Sequence, residues 1–157
     1  MIEPLVKCCA GLDVHRSTVV ATIIQESESG EIQKETREYC AYRKGLLELG
    51  SWLYARGVEL AVMESTSVYW KPVYEVLEGL LPRVYIVNAR HVKNVPGRKT
   101  DIKDSEWLAE LARCGLLKSS FIPPRDFRET RFLTRYHMKL SGYVAAEKNR
   151  LHKTLDD

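Results

Sequence analysis

Residues 5–40 read LVKCCAGLDVHRSTVVATIIQESESGEIQKETREYC, and this segment decides the fold. Stretch 5–14 is short and mostly apolar, which predicts a buried strand with Asp13 at its end. Stretch 17–26 is rich in β-branched side chains and predicts a second strand. Residues 28–31 are turn chemistry, with Gly30 free to take a positive φ. Residues 32–40 alternate less cleanly and predict a third, more exposed strand. Three consecutive strands joined by short turns make an antiparallel meander.

Beyond residue 40 the period changes. Leu46, Leu47, Leu49, Trp52 and Leu53 recur at helical spacing, and Gly57 is placed to stop that helix. Residues 58–64 predict a fourth strand. Residues 69–81 predict a helix with Val73, Val76, Leu77 and Leu80 on one face and Pro72 in an early, tolerated position. Residues 84–88 predict a fifth strand, residues 89–100 a polar, basic loop, and residues 101–117 a helix. Pro123 and Pro124 break the chain, and one long helical segment follows from Arg125. The order β-β-β-α-β-α-β-α predicts an α/β fold, a mixed sheet with flanking helices. It matches the ribonuclease H-like arrangement, followed by a long C-terminal helix.

In such a sheet the first and fourth strands are neighbours, so Asp13 and Glu64 come side by side at one sheet edge. Asp101 and Asp104, at i and i+3, are expected on one face of the helix that follows. Four converging carboxylates repel one another unless cations compensate them. Mg²⁺ or Mn²⁺, hard ions that prefer carboxylate oxygen, fit that need, and a pair of such ions serves phosphoryl transfer. Each acid also has an ordinary reading. Asp101 after Thr100 is normal chemistry for a helix start, and Asp13 before His15 and Arg16 suits a turn. Glu64 is harder to dismiss, since an acid closing a buried strand is costly without a partner.

Three stretches carry a family resemblance: GLDVHRSTVVATI around Asp13, MESTSVYWKPVYEVL around Glu64, and VNARHVKNVPGRKTDIKDSEWLAELARCGLLKSSFIPP around Asp101 and Asp104. With RETRFLTRYHMKL and EKNRLHKTL further on, the sequence resembles the N-terminal domain of DEDD-type insertion-sequence transposases of the IS110 family, which includes the Piv-type DNA invertases. The resemblance implies a RuvC-like form of the ribonuclease H-like fold in which Asp13, Glu64, Asp101 and Asp104 are the catalytic metal ligands. It implies a transposase or site-specific recombinase that cleaves and exchanges DNA strands, directed by a guide RNA. It also implies a coiled-coil helix that joins subunits and a further, C-terminal domain bearing a serine nucleophile. That domain is not among these residues, so strand transfer by the chain alone is not expected. The expected organisation is a DEDD domain over 1–124 and the start of the long helix over 125–157. Ser67, Ala89 and Ser105 stand where the family commonly has glycine, proline and alanine.

Composition agrees with this reading. The chain has 157 residues, 45% hydrophobic and 29% charged, enough for one core. No apolar run reaches membrane-spanning length, and the N-terminus lacks a secretory signal, so a cytoplasmic location is expected. The four cysteines, Cys8, Cys9, Cys40 and Cys114, lack metal-site spacing and are expected reduced and mostly buried. Residues 1–90 carry 10 Lys and Arg against 12 Asp and Glu, whereas residues 91–157 carry 14 against 9. The basic half predicts a polyanionic partner. Lys93, Arg98 and Lys99 lead toward the acids, and Arg131, Arg135 and Arg150 stud the long helix. The same helix has Leu133, Leu140, Val144, Leu151 and Leu155 as a stripe suited to a partner helix. His15 and His91 offer general-base or ligand chemistry but read first as surface residues or backbone contacts, and the pair Tyr69–Trp70 reads as core before it reads as a base-stacking platform. Two other functions fit the same features: a free-standing Holliday-junction-resolvase-like nuclease, and a non-catalytic nucleic-acid-binding fragment. A sugar-kinase or actin-type domain would need a glycine-rich adenosine motif and a second domain, and neither is present.

Overall fold

The structure, a computed structural model, describes residues 6–97 and 103–156. Strands β1 (Cys8–Val14), β2 (Thr18–Glu26) and β3 (Ile32–Cys40) form the meander. The turn between β2 and β3 closes through Gly30, whose φ is +82° and whose N–H donates to the Ser27 carbonyl at 2.9 Å. Then come α1 (Arg43–Ala55), β4 (Leu60–Glu64), α2 (Trp70–Leu77), β5 (Arg83–Val87), α3 (Ala89–Asn94), α4 (Asp104–Arg113) and α5 (Arg125–Asp156). The sheet order is β3-β2-β1-β4-β5. The first three strands pair antiparallel, while β1–β4 and β4–β5 are parallel. This is the ribonuclease H-like order that the sequence predicts.

Alternation along β3 shows how the two faces are covered. Lys34 and Thr36 reach toward α4, Lys34 through Glu106 and Glu110 and Thr36 through Thr22. Arg37 and Tyr39, in the opposite phase, pack on Trp52 of α1, with the Arg37 guanidinium 4.9 Å from the indole centroid. Helix α4 therefore lies on one face and α1 on the other. Beneath α4, Cys9, Ile24, Leu60, Val62 and Val87 form an apolar cluster with Trp107, Leu108, Leu111 and Ala112.

Several elements differ from their expected bounds. Strand β1 starts at Cys8, and α2 stops at Leu77, where Gly79 and Pro82 follow; the proline disfavours helix at Leu81. Helix α1 ends as expected before Gly57, φ +67°. Residues 89–94, expected as loop, are the short helix α3. The Asn88 side chain accepts from the Arg90 N–H at 2.9 Å and caps it, and buried Val92 anchors it in the apolar cluster. Leu47, expected on the core face of α1, is 48% exposed.

Cys8 and Cys9 are buried, but Cys40 is exposed and Cys114 half-buried, which corrects the expectation of mostly buried thiols. Burial pushes the Cys9 thiol from 9.0 up to about 12. The folded chain thus holds a proton there that the unfolded chain releases. The stability this contributes is complete below pH 9 and is lost as pH rises from 9 toward 12. Urea midpoints measured across that range are expected to fall, and Cys9→Ala is expected to flatten the slope.

The chain divides into two compact units, Met1–Ser120 and Phe121–Asp157. The second contains α5, of 32 residues, none of them buried. Its stripe residues Leu133, Leu140, Val144, Leu151 and Leu155 are all exposed. No described helix is long and apolar enough to cross a membrane.

Candidate active site

Asp13 is the penultimate residue of β1, and its neighbours fix the face it occupies. Cys9 and Gly11 share that face by the two-residue period. The Cys9 thiol donates to the Ala109 carbonyl at 3.3 Å. A Cβ on Gly11 would fall 2.0 Å from the Ser105 carbonyl oxygen. Asp13 is therefore on the side of the sheet that α4 covers. Its Oδ2 accepts a hydrogen bond from His15 Nε2 at 3.0 Å. His15 is exposed, as the sequence predicts, and its bond to Asp13 is what the structure adds. The signal that could have found it is Asp-x-His at a strand end, where two residues of the same phase meet.

Glu64 closes β4. Leu60 and Val62, in phase with it, belong to the cluster under α4. The register Leu12↔Met63, carried one step further, sets Glu64 beside Asp13. The two carboxylates thus end adjacent parallel strands on one face of the sheet. The Thr66 hydroxyl donates to Glu64 Oε2 at 3.2 Å. The turn that follows is held by Ser65 N–H to the Val87 carbonyl at 2.9 Å and by Tyr69 N–H to Ser67 Oγ at 3.3 Å.

Ser67 has φ 60°, in the left-handed region that glycine enters without penalty. A glycine here would adopt this conformation without that penalty. Ser67→Gly is expected to raise stability by up to about 1 kcal/mol. A lowered urea midpoint would show that the Ser67 hydroxyl outweighs the backbone strain.

Helix α4 begins at Asp104, not at Asp101. Lys103, with ψ 147°, is extended and occupies the N-cap position without a side-chain capping hydrogen bond. The helix ends at Arg113 rather than Leu117, because Gly115 turns the chain at φ +67°. Asp101, expected to share a helix face with Asp104, lies outside the described residues. Ser105 lies over Gly11, and Ala109 lies over Gly11 and Cys9. Helix α4 therefore runs antiparallel to β1 and starts at the end of the sheet where Asp13 and Glu64 lie. Asp104 is brought to that end by its place as first helical residue.

The donor set of the three described acids is carboxylate oxygen alone, which suits Mg²⁺ or Mn²⁺ rather than softer metals. Among the described residues, no three His, Cys, Asp or Glu side chains gather into a group that could hold one ion. The structure sets Asp13 and Glu64 at adjacent strand positions and Asp104 at the same end of the sheet, without the three described carboxylates forming one such group.

Of the expected nucleic-acid contacts, Lys93 is exposed in the last turn of α3. Arg98 and Lys99 lie outside the described residues. Arg131, Arg135 and Arg150 are exposed on α5, with Arg150 paired to Glu147. Tyr69, expected in the core, is 40% exposed, while Trp70 packs edge-on against Tyr74 at 6.0 Å.

A mixed sheet of this order, with carboxylates ending two adjacent parallel strands and a third opening the helix laid across them, defines a ribonuclease H-like domain of the RuvC kind. The sequence profile of the DEDD-type IS110 transposases, described as "Transposase", matches residues 10–157. The chain belongs to that transposase family. No curated protein matches it. Similar solved structures include the fowlpox virus Holliday junction resolvase, with TM-score 0.41, 11% identity, and coverage of 52% of this chain and 60% of that one. Thermus thermophilus RuvC has TM-score 0.43, 13% identity, and coverage of 72% of this chain and 99% of that one. The yeast mitochondrial Holliday junction resolvase has TM-score 0.35, 10% identity, and coverage of 59% and 57%. The chain spans less than two thirds of the length of the viral protein.

Proposed function

We propose that the chain is the metal-dependent catalytic part of a DNA transposase or recombinase, acting in the cytoplasm on DNA under the direction of a guide RNA. The observation that carries this reading is the adjacency of Asp13 and Glu64 at the ends of β1 and β4, on the face where Asp104 opens α4. Asp13, Glu64, Asp101 and Asp104 are the proposed ligands. Mg²⁺ or Mn²⁺, when bound there, would neutralise the carboxylates and polarise the phosphodiester oxygens under attack. Lys93, Arg98 and Lys99 hold the strand by its phosphates, and the bases they follow are read elsewhere. Arg131, Arg135 and Arg150 add salt-sensitive contacts that tolerate any sequence. The stripe from Leu133 to Leu155 pairs with the same helix of a second copy, since an isolated amphipathic helix gains little stability by itself. On this reading residues 1–124 form the DEDD domain and α5 starts the coiled coil, with strand joining assigned to a serine-bearing domain outside these residues.

The test is cleavage and strand transfer on branched DNA with Mn²⁺, with Asp13→Ala as control. Metal-dependent cleavage without transfer, lost in the control, is expected. Robust transfer by this chain alone would show that the joining nucleophile lies within it. Salt-sensitive binding unaffected by metal or by Glu64→Gln would reduce the chain to a nucleic-acid-binding fragment.

A further inference from the structure

We propose that the buried hydroxyl pair Thr22–Ser105 is a positioning device that sets the register of α4 on the sheet and thereby the place of Asp104; this rests on the metal-dependent reading above. Most of what α4 presses against the sheet is apolar: Trp107, Leu108, Leu111 and Ala112 over Cys9, Ile24, Leu60 and Val62. Apolar burial is non-directional, so it holds a helix down without fixing how far along the sheet it sits. Direction comes from Ser105, the residue next to Asp104. Its Oγ lies 2.8 Å from Thr22 Oγ1, which lies 2.8 Å from Thr36 Oγ1. Thr22 and Ser105 are the two buried polar side chains among the described residues, each 0% exposed.

The backbone completes the lock. Thr22 is the β2 partner of Gly11, and the bare Cα of Gly11 lets the Ser105 carbonyl settle onto the strand. Sliding α4 by one residue would move Asp104 about 1.5 Å along the helix axis. It would also take the Ser105 hydroxyl away from Thr22, which keeps Thr36 as a partner, and a buried hydroxyl that loses its bond is penalised. The ion pairs Lys34–Glu106, Lys34–Glu110 and Arg113–Glu26 follow the same register further along α4, but they are partly exposed, and pairs of that kind are weak.

The test separates the position of Asp104 from stability. Mn²⁺ affinity is measured by calorimetry on wild type, Thr22→Val, Thr22→Ser, Ser105→Ala and Asp104→Asn, each shown folded by circular dichroism, with urea midpoints taken in parallel. Thr22→Val keeps the shape of the side chain and removes the hydroxyl, and Thr22→Ser does the reverse. Thr22→Val and Ser105→Ala are expected to weaken Mn²⁺ binding about fivefold, the worth of one hydrogen bond. Thr22→Ser is expected to bind like wild type although its urea midpoint falls. Affinity that follows the urea midpoint, or that is unchanged in Thr22→Val and Ser105→Ala while Asp104→Asn loses it, would overturn the positioning role and leave the metal reading intact. Wild type that binds no Mn²⁺, or an Asp104→Asn variant that binds as well as wild type, would overturn the metal reading and the positioning role with it.

Discussion

Gly11→Ala is expected to destabilise the domain by about 3 kcal/mol or more, or to prevent folding. The new Cβ would stand 2.0 Å from the Ser105 carbonyl oxygen, 2.5 Å from the Ala109 backbone nitrogen and 2.9 Å from Leu108 Cβ. Two of those three atoms are backbone, so no rotamer change relieves the contact. Strand β1 cannot retreat either, because β2 and β4 hold it on both sides. Helix α4 must lift, and with it the apolar cluster that includes Trp107 and Leu108. A loss of this size is a large share of the ~5–15 kcal/mol that stabilises a typical domain. Urea unfolding followed by far-ultraviolet circular dichroism measures it, and wild-type stability would show that α4 does not sit this close to β1.

Asp13→Asn is expected to abolish both metal-linked stabilisation and metal-dependent cleavage. Wild type in Mn²⁺ at a hundred times its dissociation constant should gain about 2.7 kcal/mol by mass action. The variant should gain little, because the adjacent Glu64 is left to bind without its neighbour's charge. If charge stabilisation by the ions supplies several kcal/mol, cleavage should fall at least about 10³-fold. Without metal the sign reverses. Glu64 no longer faces a like charge on the next strand, so the metal-free variant should melt no lower than wild type. Melting curves with and without Mn²⁺ give both results. A wild-type melting temperature indifferent to Mn²⁺ would count against the site.

The strands were legible because their signal is local. The β-branched run in β2 and the Gly30 turn need no tertiary information. The pairing of β1 with β4 was not local: it followed from matching the whole element order to a ribonuclease H-like sheet, in which the first and fourth strands are neighbours, and that match placed Glu64 beside Asp13. Errors fell where tertiary packing or a single cap decides the outcome. Helix α3 was missed because only Ala89 and Val92 of its six residues are apolar, and the Asn88 cap that starts it looks like any loop asparagine. The start of α4 was misplaced because nothing in Thr100-Asp101-Ile102-Lys103 announces that Lys103 is extended. The bond from His15 to Asp13 was invisible for a related reason, since a histidine two residues from an acid touches it only when the strand end holds both in one phase.

Ninety-four residues separate Gly11 from Ser105, yet the two backbones meet. A ribosome adding ~5–20 residues per second takes roughly 5–20 s to cross that interval. Cys9 is made before that interval begins and Leu60 and Val62 about halfway through it, while the helix that covers their face does not yet exist. The meander can pair early, as its contacts are between neighbours in sequence, but that face of the sheet must wait for almost the last element of the domain. The nascent chain therefore passes through a stage with one apolar sheet face open to water, and it is at this stage that a chaperone protecting hydrophobic surface would have the most to hold.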